Sequence, residues 1–255
     1  MTVPTYRLDL AYDGSGFHGY ARQPQVRTVQ GDLEEALLPY TGAIETFVAG
    51  RTDKGVHAIG QVVSFTTSVD IDRNRIMRSV NRRLAPAIAV QSLDVAPDDF
   101  HARFSASGRS YRYLILNRAA PDPFLAPVSW HYPEPLDRGE MNAAARFFLG
   151  ERDFASLCRK AAGAGTVRNV RTAQWLEPEP GLLEYRVEAS SFCHQMVRSM
   201  VAICADVGRG KIEASSVPGI LDAMDRTSGR GAAPPHGLAL VGVSYGSDPE
   251  TDGFR

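Results

Sequence analysis

The 255-residue chain has only three cysteines, three lysines and two tryptophans, and its formal charge is almost balanced at −1. Cys158, Cys193 and Cys204 are odd in number and show no C-x-x-C spacing, so neither a disulfide framework nor a zinc site is expected, and the three read as small buried thiols. The adjacent Cys193 and His194 have no second cluster with which to close a tetrahedral site, and a metal role is set aside. No apolar run approaches the roughly 20 residues of a bilayer-spanning helix, and Met1 to Arg7 lack the charged and apolar blocks of a signal peptide. A cytoplasmic protein is the expectation. Neither a P-loop nor a G-x-G-x-x-G pattern occurs; Asp13-Gly14-Ser15-Gly16 comes nearest, which leaves little support for a nucleotide-binding enzyme.

What is present is a 44% hydrophobic content, enough for one large or two ordinary cores. The charge is segregated along the chain. From Arg73 to Arg118, nine arginines face three aspartates for a net +6, while from Ala205 to Arg255 five basic residues face seven acidic ones. A basic segment of this kind is either a solvated helix face or a phosphate-binding surface, and arginine suits bidentate phosphate contact.

Hydrophobic periodicity gives the element order. Tyr6 to Tyr12 alternates as a strand, Val29 to Tyr40 has helical spacing with Thr28 as N-cap, and strands are predicted at Ile44 to Ala49 and Gln61 to Thr67. A helix from about Asp72 to Leu84, stopped by Pro86, and a strand from Ile88 to Val95 complete a βαββαβ unit. The second half repeats the order: a strand at Ser110 to Leu116, a helix opened by Asp137 and Glu140 and reaching about Leu149, and strands at Val167 to Leu176 and Leu183 to Ala189. A helix from His194 to Val207, an inserted helix from Val217 to Met224 and a last strand from Leu238 to Tyr245 follow. The predicted fold class is α+β, with two ferredoxin-like βαββαβ modules over residues 1–104 and 105–247 and a disordered tail at 248–255. Pairing of their edge strands would form an extended, mainly antiparallel sheet with helices on one face.

The segment Gly50-Arg51-Thr52-Asp53-Lys54-Gly55-Val56-His57 packs more chemistry into one inter-strand loop than a hairpin needs. Gly50 and Gly55 permit positive φ, so the loop can fold tightly and aim Asp53 away from the strands. On its own it reads first as a solvated turn whose aspartate bonds its own backbone.

This loop, followed by Gln61-Val62, resembles the catalytic motif of the TruA-type family of tRNA pseudouridine synthases. Further blocks resemble it in the family's order: Tyr12-Asp13-Gly14 with Phe17-His18-Gly19-Tyr20, Thr28-Val29-Gln30, Asp98-Asp99-Phe100-His101-Ala102-Arg103-Phe104-Ser105-Ala106, Arg109-Ser110-Tyr111-Arg112-Tyr113, Phe192-Cys193-His194-Gln195-Met196-Val197-Arg198, and Ala233-Pro234-Pro235-His236-Gly237-Leu238. The match spans roughly residues 5 to 245.

The resemblance implies a cytoplasmic, homodimeric isomerase that binds tRNA and converts uridines 38, 39 and 40 of the anticodon stem-loop to pseudouridine, without cofactor or metal. It makes Asp53 the essential carboxylate, either trapping C1′ of the ribose as in glycoside cleavage or removing a proton at C2′. It makes Arg198 the cation that keeps Asp53 ionised, Tyr111 the ring stacked on the target uracil, Arg51 the residue that fills the space of the extruded base, and Leu238 an apolar contact to that base. Residue periodicity alone does not separate Tyr111 from Tyr113, and Leu238 is equally a core leucine. Lys54 stands where alanine is frequent in the family, Tyr20 where tryptophan is frequent and Gln195 where some members have a second histidine; none of these removes a group assigned to chemistry. The Ala161 to Gly165 loop is short and glycine-rich, and no tRNA contact is carried over to it. A non-catalytic RNA-binding module, or a relative acting on another RNA, would share much of this pattern.

Overall fold

The computed structural model describes residues 3–159 and 165–246; the 248–255 tail and most of the Ala161 to Gly165 loop lie outside them. The described chain divides into two compact units. Residues up to 107, together with those from Leu240, make the first, and residues 108–239 make the second. Both are α+β with mainly antiparallel strands, as the element order predicts.

In the first unit β1 (Thr5–Tyr12) lies between β4 (Ile88–Ala96) and β3 (His57–Thr66), antiparallel to both. Strand β10 (Leu238–Tyr245) adds to β3 on the other side, and β2 (Phe47–Val48) also pairs with β3. Chain order puts β10 at the end of the second module, yet from Leu240 on it packs with the first unit. There the Val241 carbonyl lies 2.4 Å from where a Cβ on Gly60 would be. The alternating Tyr6, Leu8, Leu10 and Tyr12 are buried. Helices α1 (Val29–Thr41) and α2 (Arg73–Leu84) pack together and bury Leu33, Ala36 and Leu37 on one and Ile76, Val80 and Leu84 on the other. Each has a side-chain cap: Thr28 accepts from the Gly31 N–H at 3.2 Å and Asp72 from the Arg75 N–H at 3.0 Å, contributing about 1 kcal/mol apiece.

The predicted strand at Ile44 to Ala49 shrinks to two residues for a local reason. The N–H and hydroxyl of Thr46 both donate to Glu34 on α1, at 3.1 and 2.8 Å, so these donors are unavailable to a sheet partner.

The second unit orders its strands β5 (Ala106–Leu116), β9 (Leu182–Ala189), β8 (Val167–Glu179) and β7 (Gly150–Asp153), with β6 (Trp130–His131) parallel to β5. Helix α3 (Arg138–Arg146), capped by Asp137, packs on α4 (Met196–Gly208), and the short α5 (Val217–Asp222) follows. Trp175 stacks on Tyr185 at 4.9 Å between ring centres in this core. Helix α4 starts two residues later than predicted because Gln195 takes φ +67, outside helical geometry. Strands β6 and β7 fall outside the predicted elements, since Trp130-His131 is too short and Gly150-Glu151-Arg152-Asp153 too polar to show alternation.

Both units use a helix-borne asparagine to close backbone groups of a strand. Asn81 donates to the Val90 carbonyl and accepts from its N–H, and Asn142 does the same for Trp175.

The cysteines correct the sequence expectation. Cys158 and Cys193 form a disulfide across 35 residues, with Cα atoms 5.6 Å apart, and only Cys204 is a free buried thiol. The β8–β9 hairpin brings these distant segments back together, and the Arg159 N–H donates to the His194 carbonyl beside them at 3.0 Å. A pairing made by tertiary return leaves no trace in cysteine spacing.

Candidate active site

In the first unit, Gly50 to His57 links β2 to β3 and is held from beneath by buried polar groups. The Gln61 carboxamide donates to the Gly50 carbonyl at 2.7 Å and to the Tyr12 hydroxyl at 3.2 Å. The Tyr12 hydroxyl in turn bonds the Thr52 hydroxyl at 2.8 Å. Tyr12, Gln61 and Thr52 are all buried, so each unmade bond would cost about 1–3 kcal/mol. Burial pushes the Tyr12 hydroxyl up to about 12, with the bonds to Thr52 and Gln61 opposing it, so it stays protonated at neutral pH.

A second strap crosses the loop from residues 13–20. The Tyr20 N–H donates to the Thr52 carbonyl at 3.1 Å, and the Val56 N–H donates to the Asp53 carbonyl at 3.1 Å, closing a turn in which Gly55 takes φ +78. Gly50 stays outside the left-handed region; its contribution is the pair of backbone groups that Gln61 holds. Gly14 lies so close that a Cβ there would meet the Val56 carbonyl oxygen at 2.0 Å.

Thr52 is thus anchored through both its side chain and its carbonyl, and the next residue, the half-buried Asp53, projects from a fixed point. Arg51 and Lys54 on either side are exposed. At the loop's end the Gly14 N–H donates to His57 Nδ1 at 3.1 Å, while Asp13 lies 3.2 Å from the same nitrogen. The Asp13 carboxyl sits below its ordinary range: partial burial raises it, but hydrogen bonds from Ser15 and attraction to His57 outweigh that.

The other three predicted site residues belong to the second unit. Tyr111 on β5 is buried, with Phe192 edge-on at 5.1 Å between centroids. Tyr113, which the sequence could not tell from Tyr111, is committed elsewhere. Its hydroxyl donates to the Pro234 carbonyl at 2.9 Å, and its ring lies under Gly237, where a Cβ would meet it at 2.6 Å.

Arg198 lies on the first turns of α4 and is half-buried. Its Nε donates to the Ala233 carbonyl at 2.6 Å, and the Ala233 N–H returns a bond to the Arg198 carbonyl at 2.9 Å. Burial drives the Tyr113 hydroxyl well up, with the Arg198 charge opposing it, and burial with repulsion from Arg198 lowers Arg226. Arg198 and Arg226 therefore share one positive region. Leu238, the first residue of β10, is buried.

Sequence reasoning gave no role to the supports Gln61, Tyr12, Gly14 and Phe192, although each stands in a block that resembles the family; Gln61 also stands out as a glutamine inside the apolar run of β3.

The sequence matches a family described as tRNA pseudouridine synthase over residues 10–105 and 144–246. The chain belongs to that family. Its relatives include tRNA pseudouridine synthase A of Frankia casuarinae, 43% identical over 249 residues that cover 96% of this chain and 90% of the relative. The protein of the same name from Streptomyces griseus is 41% identical, covering 95% and 88%. That of Methylacidiphilum infernorum is 38% identical, covering 98% and 99%. As a pseudouridine synthase family member the chain is an isomerase. Among the described residues no helix is long and apolar enough to cross a membrane.

Proposed function

We propose that this pseudouridine synthase family member isomerises uridines 38, 39 and 40 in the anticodon stem-loop of tRNA, with Asp53 as the catalytic carboxylate. The observation that carries this reading is the support beneath Asp53: a buried Tyr12–Thr52–Gln61 network and a Gly14–Val56 approach hold one half-buried carboxylate on a loop otherwise free to be a plain turn. Rigid presentation of a reacting group is what catalysis by positioning requires.

The chemistry needs one ionised carboxylate. The N1–C1′ bond breaks, the uracil turns, C5 joins C1′, and the proton lost from C5 balances the one gained at N1. Nothing is added or removed, so the atom balance calls for no co-substrate. Asp53 either adds to C1′ while the base is detached or takes the C2′ proton and returns it.

Tyr111 supplies the face for the detached uracil, backed by the edge of Phe192. Arg198 supplies the counter-charge, aimed by its bond to Ala233. Arg51, exposed beside Asp53, fills the stem when the uridine leaves it, and Leu238 contributes apolar packing to the base. A stem-shaped substrate also fits the basic stretch from Arg73 to Arg118, since A-form RNA is recognised through shape and backbone. A homodimer in the cytoplasm accompanies this reading through the family resemblance. The test is conversion of an unmodified tRNA transcript by the purified protein without added metal or nucleotide, with pseudouridine mapped by position. Conversion confined to positions outside 38–40 would overturn the assignment of target.

A further inference from the structure

Large aromatic side chains rarely stand in water without a partner, yet the first unit holds three rings in a row at its surface. Phe104 is 76% exposed and Phe47 41% exposed. The His101 ring lies between them, 4.8 Å from Phe47 and 4.4 Å from Phe104 between centroids, and the Arg103 guanidinium sits 5.4 Å over the Phe104 face.

The turn that carries them is pinned in place. The Ala102 N–H donates to the Ser64 hydroxyl at 3.0 Å, and the Ala102 carbonyl accepts from the Tyr245 hydroxyl at 2.9 Å, so the centre of the turn is tied to β3 and β10. Ser105 closes it from both sides, donating its N–H to the His101 carbonyl and accepting the His101 N–H. His101 Nδ1 accepts from the N–H groups of Arg103 and Phe104 at 3.1 and 3.3 Å, which fixes the ring plane and leaves Nε2 to carry the proton of the neutral imidazole. The backbone that carries Phe104 is therefore held, and a ligand would meet its ring on a preorganised turn.

We propose that Phe47, His101 and Phe104 form a stacking platform for an unpaired nucleobase of the RNA substrate, separate from the loop that carries Asp53. The proposal rests on the RNA-modifying reading given above. A base is the occupant that these groups fit. Aromatic rings with a guanidinium accept the π-face of any base, and the Nε2–H of His101 is a donor for a base carbonyl or a ribose oxygen. The exposed carboxylates of Asp98 and Asp99 on the turn just before it disfavour a phosphate as the primary contact. They also interrupt the continuous apolar surface that a protein partner would bury.

The test compares wild type, Phe104→Ala and Phe104→Trp in steady-state pseudouridine formation on a full-length tRNA transcript, with sedimentation of each protein. Loss of one stacking contact is expected to raise KM about five- to a hundredfold with kcat unchanged. Phe104→Trp is expected to restore it, and all three proteins should share one oligomeric state. A KM for Phe104→Ala within about twofold of wild type overturns the platform while leaving the RNA reading intact. A KM rise accompanied by dissociation of an oligomer overturns it in favour of a contact between copies of the chain. Wild type that converts no tRNA defeats the RNA reading and the platform with it.

Discussion

The buried side chain of Gln61 holds Gly50 by both backbone groups, accepting from its N–H at 3.4 Å and donating to its carbonyl at 2.7 Å. It is fully buried and also donates to Tyr12, so it is the hub of the support beneath Asp53. Gln61→Leu keeps the volume and removes every one of these bonds, leaving the part-buried N–H and carbonyl of Gly50 unmet and the buried Tyr12 hydroxyl with Thr52 alone. The variant should lose about 1–3 kcal/mol in urea unfolding. Its activity should fall further than the lost folded fraction explains, because the carboxylate is no longer held. Activity per folded molecule equal to wild type would show that the network stabilises without positioning.

Gly14 and Val56 make the closest backbone approach at the loop. Gly14→Ala places a methyl group where the Val56 carbonyl oxygen already is, so the 13–20 strap or the catalytic loop must move. Overpacking of this kind costs about 1–3 kcal/mol. The expected outcome is a lower melting temperature with a larger proportional loss in kcat than in tRNA affinity, read by thermal unfolding and single-turnover kinetics.

Stability should fall in alkali. Burial raises Tyr12 to about 12 from an ordinary value of 10, lifts Tyr20, Tyr113 and Tyr185 well above it, and raises the Cys204 thiol to about 12 from 9. For each group the folded value exceeds the unfolded one, so the unfolded chain loses its protons first as pH rises. The stabilisation is whole below the unfolded values and is lost from about pH 9 to about pH 12. Urea midpoints should decline through this window, and the ultraviolet signal of tyrosinate should rise in two stages, exposed rings first and buried ones with unfolding. A single stage with a flat urea midpoint would contradict the burial.

The thiols should react in a set order. Without reductant and in native conditions, none of Cys158, Cys193 and Cys204 should be alkylated, the first two being joined and the third buried. Reductant should expose Cys193 first, since it is half-buried whereas Cys158 is fully buried, and Cys204 should react only on denaturation. The Thr166 carbonyl, 3.8 Å from Cys193 Sγ, offers the released thiol an acceptor. Mass spectrometry after staged alkylation reads the order directly.

The fold was largely legible because its signals are local. Alternation in Tyr6 to Tyr12, the Thr28 and Asp137 caps and the strand at Leu238 to Tyr245 all depend on neighbours in sequence. What could not be read depends on tertiary return: the Cys158–Cys193 pairing, the grip of Glu34 on Thr46 that shortens β2, and the packing of β10 with the first unit. The site divides the same way. Asp53 stands out in its motif, but the residues that hold it come from β1, from the 13–20 strap and from the middle of β3, and their grip on the loop is made only by tertiary contact. Tyr111 and Tyr113 share a strand face and differ only in what folds against them, Phe192 for one and Pro234 with Gly237 for the other.

The central claim is that the Asp53 carboxylate carries out the isomerisation. Single-turnover pseudouridine formation on an unmodified tRNA transcript, with Asp53→Ala and Asp53→Asn beside wild type at saturating enzyme, tests it most directly. The account predicts no product from either variant, with unfolding midpoints and tRNA affinity close to wild type. Pseudouridine formed by Asp53→Ala at a rate near that of wild type would contradict it.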